Sequence, residues 1–196
     1  MEDGSVITRT EMENALVEEL KKNKGYLEAL EIVRSNSQGK IWLIGGTVSR
    51  SIIKSLYSHV QLKHDLDFLV EKLNNKLVIP KNWKISKNRF DNPKLIKGNT
   101  EVDIVPLETA EYIRENKLKP SIKNFLAGTP LDVQFLAFDI EKEKLIGHLG
   151  IKALQKKEVR INNSKRFLAK AQRKGLTSDE LLQQTAKSLG FKPIFK

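Results

Sequence analysis

Two carboxylates at alternate positions, Asp65-Leu66-Asp67, follow an apolar run closed by two glycines, Ile41-Trp42-Leu43-Ile44-Gly45-Gly46. A third, Asp103, sits in a similarly alternating run, Glu101-Val102-Asp103-Ile104-Val105. No other feature limits the fold as much. Residues two apart on a strand share a face. Leu66, Phe68 and Val70 therefore meet a core while Asp65 and Asp67 stand together on the opposite side. Val102 and Ile104 do the same for Asp103, which joins the pair if the strands are neighbours. Three such carboxylates repel one another unless a cation lies between them. Hard divalent cations such as Mg²⁺ take oxygen ligands and also hold phosphate oxygens. The chemistry expected of Asp65, Asp67 and Asp103 is phosphoryl or nucleotidyl transfer at two ions, Mg²⁺ or Mn²⁺, about 3.5–4 Å apart.

The segment between the glycines and the carboxylates strengthens that expectation. Val48, Ile52, Ile53 and Leu56 recur at helical spacing. A strand, two glycines and a helix start form a phosphate-binding geometry. Glycine lets the backbone approach an anion, and the free N–H groups of the first turn point at it. Gly45 and Gly46 are the candidate cradle, Thr47, Ser49 and Ser51 offer hydroxyl donors, and Arg50 offers charge. Taken singly, each piece has a plain reading: a tight turn, a solvated strand face. It is the order of the pieces that carries the chemistry.

That order, from Ile41 to Val70, "IWLIGGTVSRSIIKSLYSHVQLKHDLDFLV", resembles the head domain of nucleotidyltransferases of the DNA polymerase beta superfamily, above all bacterial tRNA CCA-adding enzymes and poly(A) polymerases. Residues 131–161, "LDVQFLAFDIEKEKLIGHLGIKALQKKEVRI", resemble the second signature of that head. The resemblance covers roughly residues 40–161. It implies triphosphate binding at Gly45 and Gly46, metal binding at Asp65 and Asp67, and a third metal-binding carboxylate at Asp103. The chain departs from the family pattern in three places. The arginine usual three residues after the second glycine is displaced by one, with Ser49 in its place and Arg50 after it; one residue on a helix turns a side chain by about 100°. Gly128-Thr129-Pro130 stands where an Arg-Arg-Asp run is usual. The acidic-x-x-Arg base-selecting motif is absent; Asp179-Glu180-Leu181-Leu182-Gln183 comes nearest and ends in glutamine.

Composition excludes several alternatives. The 196 residues contain no cysteine, which removes disulfide frameworks, zinc–thiolate sites and thiol nucleophiles. No apolar run approaches the roughly 18 residues of a membrane span, and no signal-peptide pattern opens the chain, so a cytoplasmic protein is expected. Of three histidines, His64 is expected on the core side of the Asp65 strand and His148 in a loop. The net charge of +11 is uneven: from Gly150 to Lys196 twelve cations face three carboxylates. Lys165, Arg166, Lys170, Arg173 and Lys174 are the candidate nucleic-acid contacts, with a merely solvated lysine-rich helix as the alternative. A basic face attracts polyanions in a salt-dependent way.

The expected fold is α+β: a nucleotidyltransferase head (a mixed twisted sheet with helices on one side) over 40–161, a helical N-terminal extension over 1–39 and a basic helical C-terminal extension over 162–196. A capping box at Thr10–Glu13 opens a helix to about Lys22, and a second helix spans Tyr26 to Arg34 with Leu27, Leu30 and Val33 inward. A strand falls within Leu77–Arg89, a helix over Glu108–Asn116, a helical turn at Ile122–Leu126, a strand over Leu131–Phe138 and a short helix over Gly150–Lys157. Helices over Ser164–Lys174 and Ser178–Leu189 complete the chain, the latter capped by Thr177 or Ser178. The function expected is transfer of a nucleoside monophosphate from a nucleoside triphosphate to an acceptor hydroxyl, foremost an RNA or tRNA 3′ end. Two alternatives stand beside it: a non-catalytic nucleotide- or RNA-binding protein, and a stand-alone enzyme that modifies a protein or small molecule.

Overall fold

The computed structural model describes residues 6–57, 60 and 65–195. His59 and His64 lie outside the described residues. Helix α1 (Arg9–Lys22) is opened by Thr8, whose hydroxyl accepts from the Glu11 N–H while the Glu11 carboxylate accepts from the Thr8 N–H. The capping box thus lies two residues before the Thr10–Glu13 pair. Glu13 is instead buried, accepting from the Leu145 N–H at 2.9 Å, from Lys144 at 2.8 Å and from Arg9 at 2.9 Å. Helix α2 (Lys24–Asn36) turns Tyr26, Leu30 and Val33 inward. Leu27, expected inward, is 44% exposed, because it follows Tyr26 by one step and falls off that stripe.

The strands are β1 (Ser37–Ile44), β2 (Asp65–Leu73), β3 (Lys84–Lys87), β4 (Pro93–Lys97), β5 (Thr100–Pro106), β6 (Ala137–Asp139) and β7 (Lys144–Ile146). They form one sheet in the order β3-β4-β5-β2-β1-β6-β7. All neighbours are antiparallel except β2 and β5, which run parallel. Helix α3 (Gly45–Tyr57) links β1 to β2. Beyond β5 come a 3-10 turn (Leu107–Thr109), α4 (Glu111–Glu115) and α5 (Ile122–Ala127), so the helix expected over Glu108–Asn116 is two short pieces. After β7 lie α6 (His148–Lys156), β8 (Glu158–Val159), α7 (Ser164–Arg173), α8 (Ser178–Leu189) and β9 (Lys192–Pro193), with β8 and β9 paired in parallel. Thr177 caps α8 through a second capping box with Glu180. The fold is α+β, as the alternating patterns imply.

Alternation sorts the sheet into two faces. Ile41, Leu43, Leu66, Phe68, Val70, Val102 and Ile104 face a large core shared with α1, α2, α3, α7 and α8. That core draws on segments 1–39, 40–161 and 162–196 together. Trp42, Ile44, Leu69 and Ala137 face the other way, into a smaller cluster closed by Leu107, Ile113 and Leu126 from the 3-10 turn, α4 and α5. The strand expected over Leu131–Phe138 is confined to its last residues. The buried Asp132 carboxylate accepts from the N–H groups of Val133 and Arg160, and this folds Asp132–Gln134 into a 3-10 turn. His148, expected in a loop, is the first residue of α6 and meets Phe135 edge-on at 5.6 Å between ring centroids. Among the described residues no helix is long and apolar enough to cross a membrane.

Candidate active site

The parallel pairing of β2 with β5 sets Asp67 directly beside Asp103 and Asp65 beside Glu101. Alternation puts all four carboxylates on the face of the smaller cluster, beyond the apolar floor of Ile44 and Leu69. Glu101 is a fourth member that the Glu101-Val102-Asp103 alternation already signals. Strand β4 adds a cation: Lys94 is paired with Asp103 in register, and its ammonium lies 2.5 Å from Glu101. Only the β4–β5 pairing reveals Lys94, since β4 lies in a stretch that the hydrophobic pattern leaves without an element. Asn88, at the turn between β3 and β4, donates from its amide nitrogen to Asp103 at 2.9 Å. Its own amide oxygen accepts from the N–H groups of Phe90 and Asn92, which fixes the amide and with it that Asp103 oxygen.

The electrostatics follow from this crowding. The Asp67 carboxyl is pushed up to about 6, chiefly by burial, then by the charges of Asp103 and Asp65, with Lys94 opposing them. Burial and like charge both disfavour the ionised form. Lys94 is held protonated above its usual range, first by Glu101, with Asp103 and Asp65 adding to it. The row thus carries more negative charge than its one ammonium offsets.

Ile44 is paired with Asp67 in register, and β1 passes at Gly45 directly into α3. Gly45 has φ +75°, and a Cβ there would lie 2.4 Å from the Asp67 carboxylate. No side chain fits between the helix N-terminus and Asp67. A Cβ on Gly46 would meet only Arg50, at 3.7 Å. Arg50 therefore folds back over the Gly-Gly turn despite its displacement by one position. Ser49 is buried and its hydroxyl bonds back to the Gly46 carbonyl at 3.3 Å. Thr47 donates to the Asp65 carbonyl at 2.5 Å, tying α3 to β2, and Ser51 is buried on the inward face. Of the four side chains predicted around the glycines, Arg50 is the most exposed.

The donor set suits a hard divalent cation, being oxygen-only and unbalanced in charge. Among the described residues no group of three or more His, Cys, Asp or Glu side chains is placed to hold a metal ion together. Mg²⁺ does not require one, since it is commonly held by one or two carboxylates with substrate phosphates and water. Asp67 and Asp103, paired in register, are the two carboxylates that suit that arrangement, with Asp65 two residues along the same strand face.

The candidate nucleic-acid contacts lie on α7 and its C-terminal cap. Phe167 and Ala171 are buried, whereas Lys165, Arg173 and Lys174 are exposed and Lys170 half-buried. Arg166 reaches across to α4, ion-pairing with Glu111 and, at 3.7 Å, with Glu115.

By sequence, no family model and no curated protein matches the chain. By structure, the chain is similar to the CCA-adding enzyme of Bacillus stearothermophilus in complex with CTP, with a TM-score of 0.60 and 17% identity over 88% of this chain and 41% of that one. An apo tRNA-processing enzyme matches with a TM-score of 0.56 and 17% identity over 88% of this chain and 44% of that one. A tRNA-processing enzyme with CTP matches with a TM-score of 0.52 and 18% identity over 79% of this chain and 40% of that one. This chain spans less than half the length of each. It shares the fold of the nucleotidyltransferase head in these enzymes.

Proposed function

We propose that the protein is a metal-dependent nucleotidyltransferase that moves a nucleoside monophosphate from a nucleoside triphosphate to the hydroxyl of an RNA 3′ end. The observation that carries this reading is the register of β2 on β5, which lines Asp67 and Asp103 side by side at the N-terminus of α3. Support for nucleotide and RNA comes from the neighbours of the same fold, tRNA-processing enzymes, some solved with CTP.

In this reading Gly45 and Gly46 approach the β- and γ-phosphates, and the N–H groups at the start of α3 point at them. Arg50, lying over the turn, adds positive charge at the same place. Asp65, Asp67 and Asp103 would hold Mg²⁺ or Mn²⁺, and such an ion would supply polarisation of phosphate oxygens and a lowered pKa for the acceptor hydroxyl. Asp103, fixed by Asn88, takes its place beside the acceptor hydroxyl. The hydroxyl gives up its proton to Asp103, its oxygen bonds to the α-phosphorus, and the bond between the α-phosphorus and the bridging oxygen breaks to release pyrophosphate. Positioning and charge neutralisation supply most of the acceleration. The protein is incubated with each labelled nucleoside triphosphate and total RNA, and RNA and protein are separated on a gel. Label in RNA is the expected outcome; label in protein identifies the protein-modifying alternative.

A second reading rests on Lys94. Its ammonium stands among the carboxylates, where it offsets part of the charge that otherwise calls for a cation. A protein that binds nucleotide without turnover is compatible with that substitution of lysine for metal. Nucleotide binding that persists in EDTA, with no incorporation on any acceptor, identifies this case.

A further inference from the structure

The turn between β3 and β4 carries a residue that neither the motifs nor the carboxylate row uses. Arg89 follows Asn88, and its guanidinium lies 4.3 Å over the Phe90 ring. A short series of contacts runs from this turn through β5 and α4 to the basic helix. Asn88 bonds to Asp103, Asn92 accepts from the Thr109 hydroxyl at 2.7 Å, and Glu111, two residues past Thr109, ion-pairs with Arg166 of α7. The basic side of α7 is thereby linked, through Glu111, to the segment that follows the Asp103 strand. Arg166, Lys170 and Arg173 are spaced i, i+4, i+7, one stripe about 10 Å long. Burial first, and then Arg173, pulls the Arg89 guanidinium below its usual range; Arg166 acts the same way, against Glu111 and Asp103. The arginines thus lie within charge range of one another. Among the described residues neither Arg89 nor Arg173 is within ion-pair distance of a carboxylate. Arg89 and Arg173, exposed and outside any ion pair among the described residues, are the cations of this group left to meet a bound anion.

We infer that Arg89, Arg166 and Arg173 form a cationic lane that holds the phosphate backbone of a single-stranded RNA as it enters the carboxylate row. The inference rests on the transfer reading and gives its acceptor a path. The stripe is longer than a single phosphate group, so it suits a chain of them rather than one nucleotide. An arginine already stacked on an aromatic ring also offers its outer plane to a base. Arg89 and Arg173 carry the binding charge, and Arg166, held by Glu111, fixes the helix that presents it.

The test is fluorescence anisotropy of a labelled 12-nucleotide single-stranded RNA over a salt series, with EDTA and without nucleotide. Transfer chemistry then plays no part in the result. Arg89→Ala/Arg173→Ala is compared with Lys21→Ala/Lys22→Ala in the last turn of α1, which removes the same charge outside the proposed lane. The arginine variant is expected to bind about tenfold or more weakly, and its slope of log affinity against log salt to flatten by about 1.4, or about 0.7 for each lost phosphate contact. The lysine variant is expected to match the wild type. Arg173→Glu alone, at an exposed position, gives the same direction if the double variant loses its fold. Equal effects of the arginine and lysine variants, or unchanged RNA binding, overturn the inference. So does weakened ATP binding with RNA binding intact, which assigns the lane to the triphosphate. Equal arginine-dependent binding of polyglutamate assigns the surface to acidic proteins and also overturns it. A wild type that incorporates no nucleotide but keeps arginine-dependent RNA binding sinks the transfer reading and leaves the lane standing.

Discussion

Asp67 carries the sharpest consequence of the site's crowding. Its carboxyl titrates near 6 in the fold, against 3.8 for the ordinary group. A raised folded-state value means that the fold binds this proton more tightly than the unfolded chain does. The resulting stability is present below about pH 4 and is lost as pH rises through about 6. The shift corresponds to at most about 3 kcal/mol. Asp67→Asn removes the charge and nearly keeps the shape. In EDTA it is expected to melt above the wild type at pH 8 and alongside it at pH 4, while nucleotide transfer with metal falls by orders of magnitude. Unfolding of the variant at pH 8 would instead make Asp67 a structural residue. The two neighbouring glycines separate in the same way. Gly45→Ala places a Cβ at φ +75° and 2.4 Å from the Asp67 carboxylate, so a loss of about 1–3 kcal/mol is expected. Gly46→Ala meets only an ordinary contact with Arg50 and is expected to be neutral or to gain up to about 1 kcal/mol as a helical residue. If Gly46 admits a triphosphate, this variant loses nucleotide affinity at unchanged melting temperature; equal affinity would confine the cradle to Gly45.

Among the elements, α1 and the edge strand β7 depend on each other through one side chain. Glu13 is buried and receives the Leu145 N–H, an amide on β7 facing away from β6. Burial alone pushes its carboxyl up, but Lys144, the Leu145 N–H and Arg9 together bring it below its usual value. A lowered value stabilises the fold above the ordinary carboxylate range, and that stability is lost as pH falls through the folded value. Glu13→Ala leaves a buried N–H and two cations without their partner. A loss of about 2–4 kcal/mol is expected from urea unfolding at pH 7, and the difference from wild type is expected to shrink under acid conditions. A loss below about 0.5 kcal/mol would mean that water replaces the carboxylate on β7.

At the scale of the whole molecule, one core joins the chain's beginning, middle and end. Phe167, Leu181, Leu182, Leu189 and Phe191 from the C-terminal segment are buried in the same cluster as Met12 and Leu16 of α1 and Phe68 of β2. Each such side chain is worth about 1.5–3 kcal/mol when buried. Together they represent on the order of 10 kcal/mol, comparable to the entire stability of a domain this size. Deletion of residues 162–196 is therefore expected to abolish cooperative thermal unfolding, as followed by circular dichroism, rather than yield a folded head without its basic tail. A truncated protein that melts in a single sharp transition would make that segment an appendage.

The sequence by itself determined what depends on neighbours a few positions away. The alternation at Asp65-Leu66-Asp67 and Glu101-Val102-Asp103 assigns faces, Gly45-Gly46 marks the passage from strand to helix, and Thr177 with Glu180 starts α8. These follow from periodicity and capping, which are local. Local signals also misplaced some elements. A box-like Thr10–Glu13 spacing competes with the true cap at Thr8, and the apolar residues around Asp132 read as a strand because the backbone amides that bend the chain there include one from Arg160. Only the tertiary structure decided which strands meet. The parallel β2–β5 register puts Asp67 beside Asp103, β4 brings Lys94 into the row, and the turn after β3 brings Asn88 to Asp103. Pairing and register are set by the burial of a whole sheet face and by closure of long loops. No short stretch of the chain contains that information, so the members of the site could be read in advance more readily than its neighbours.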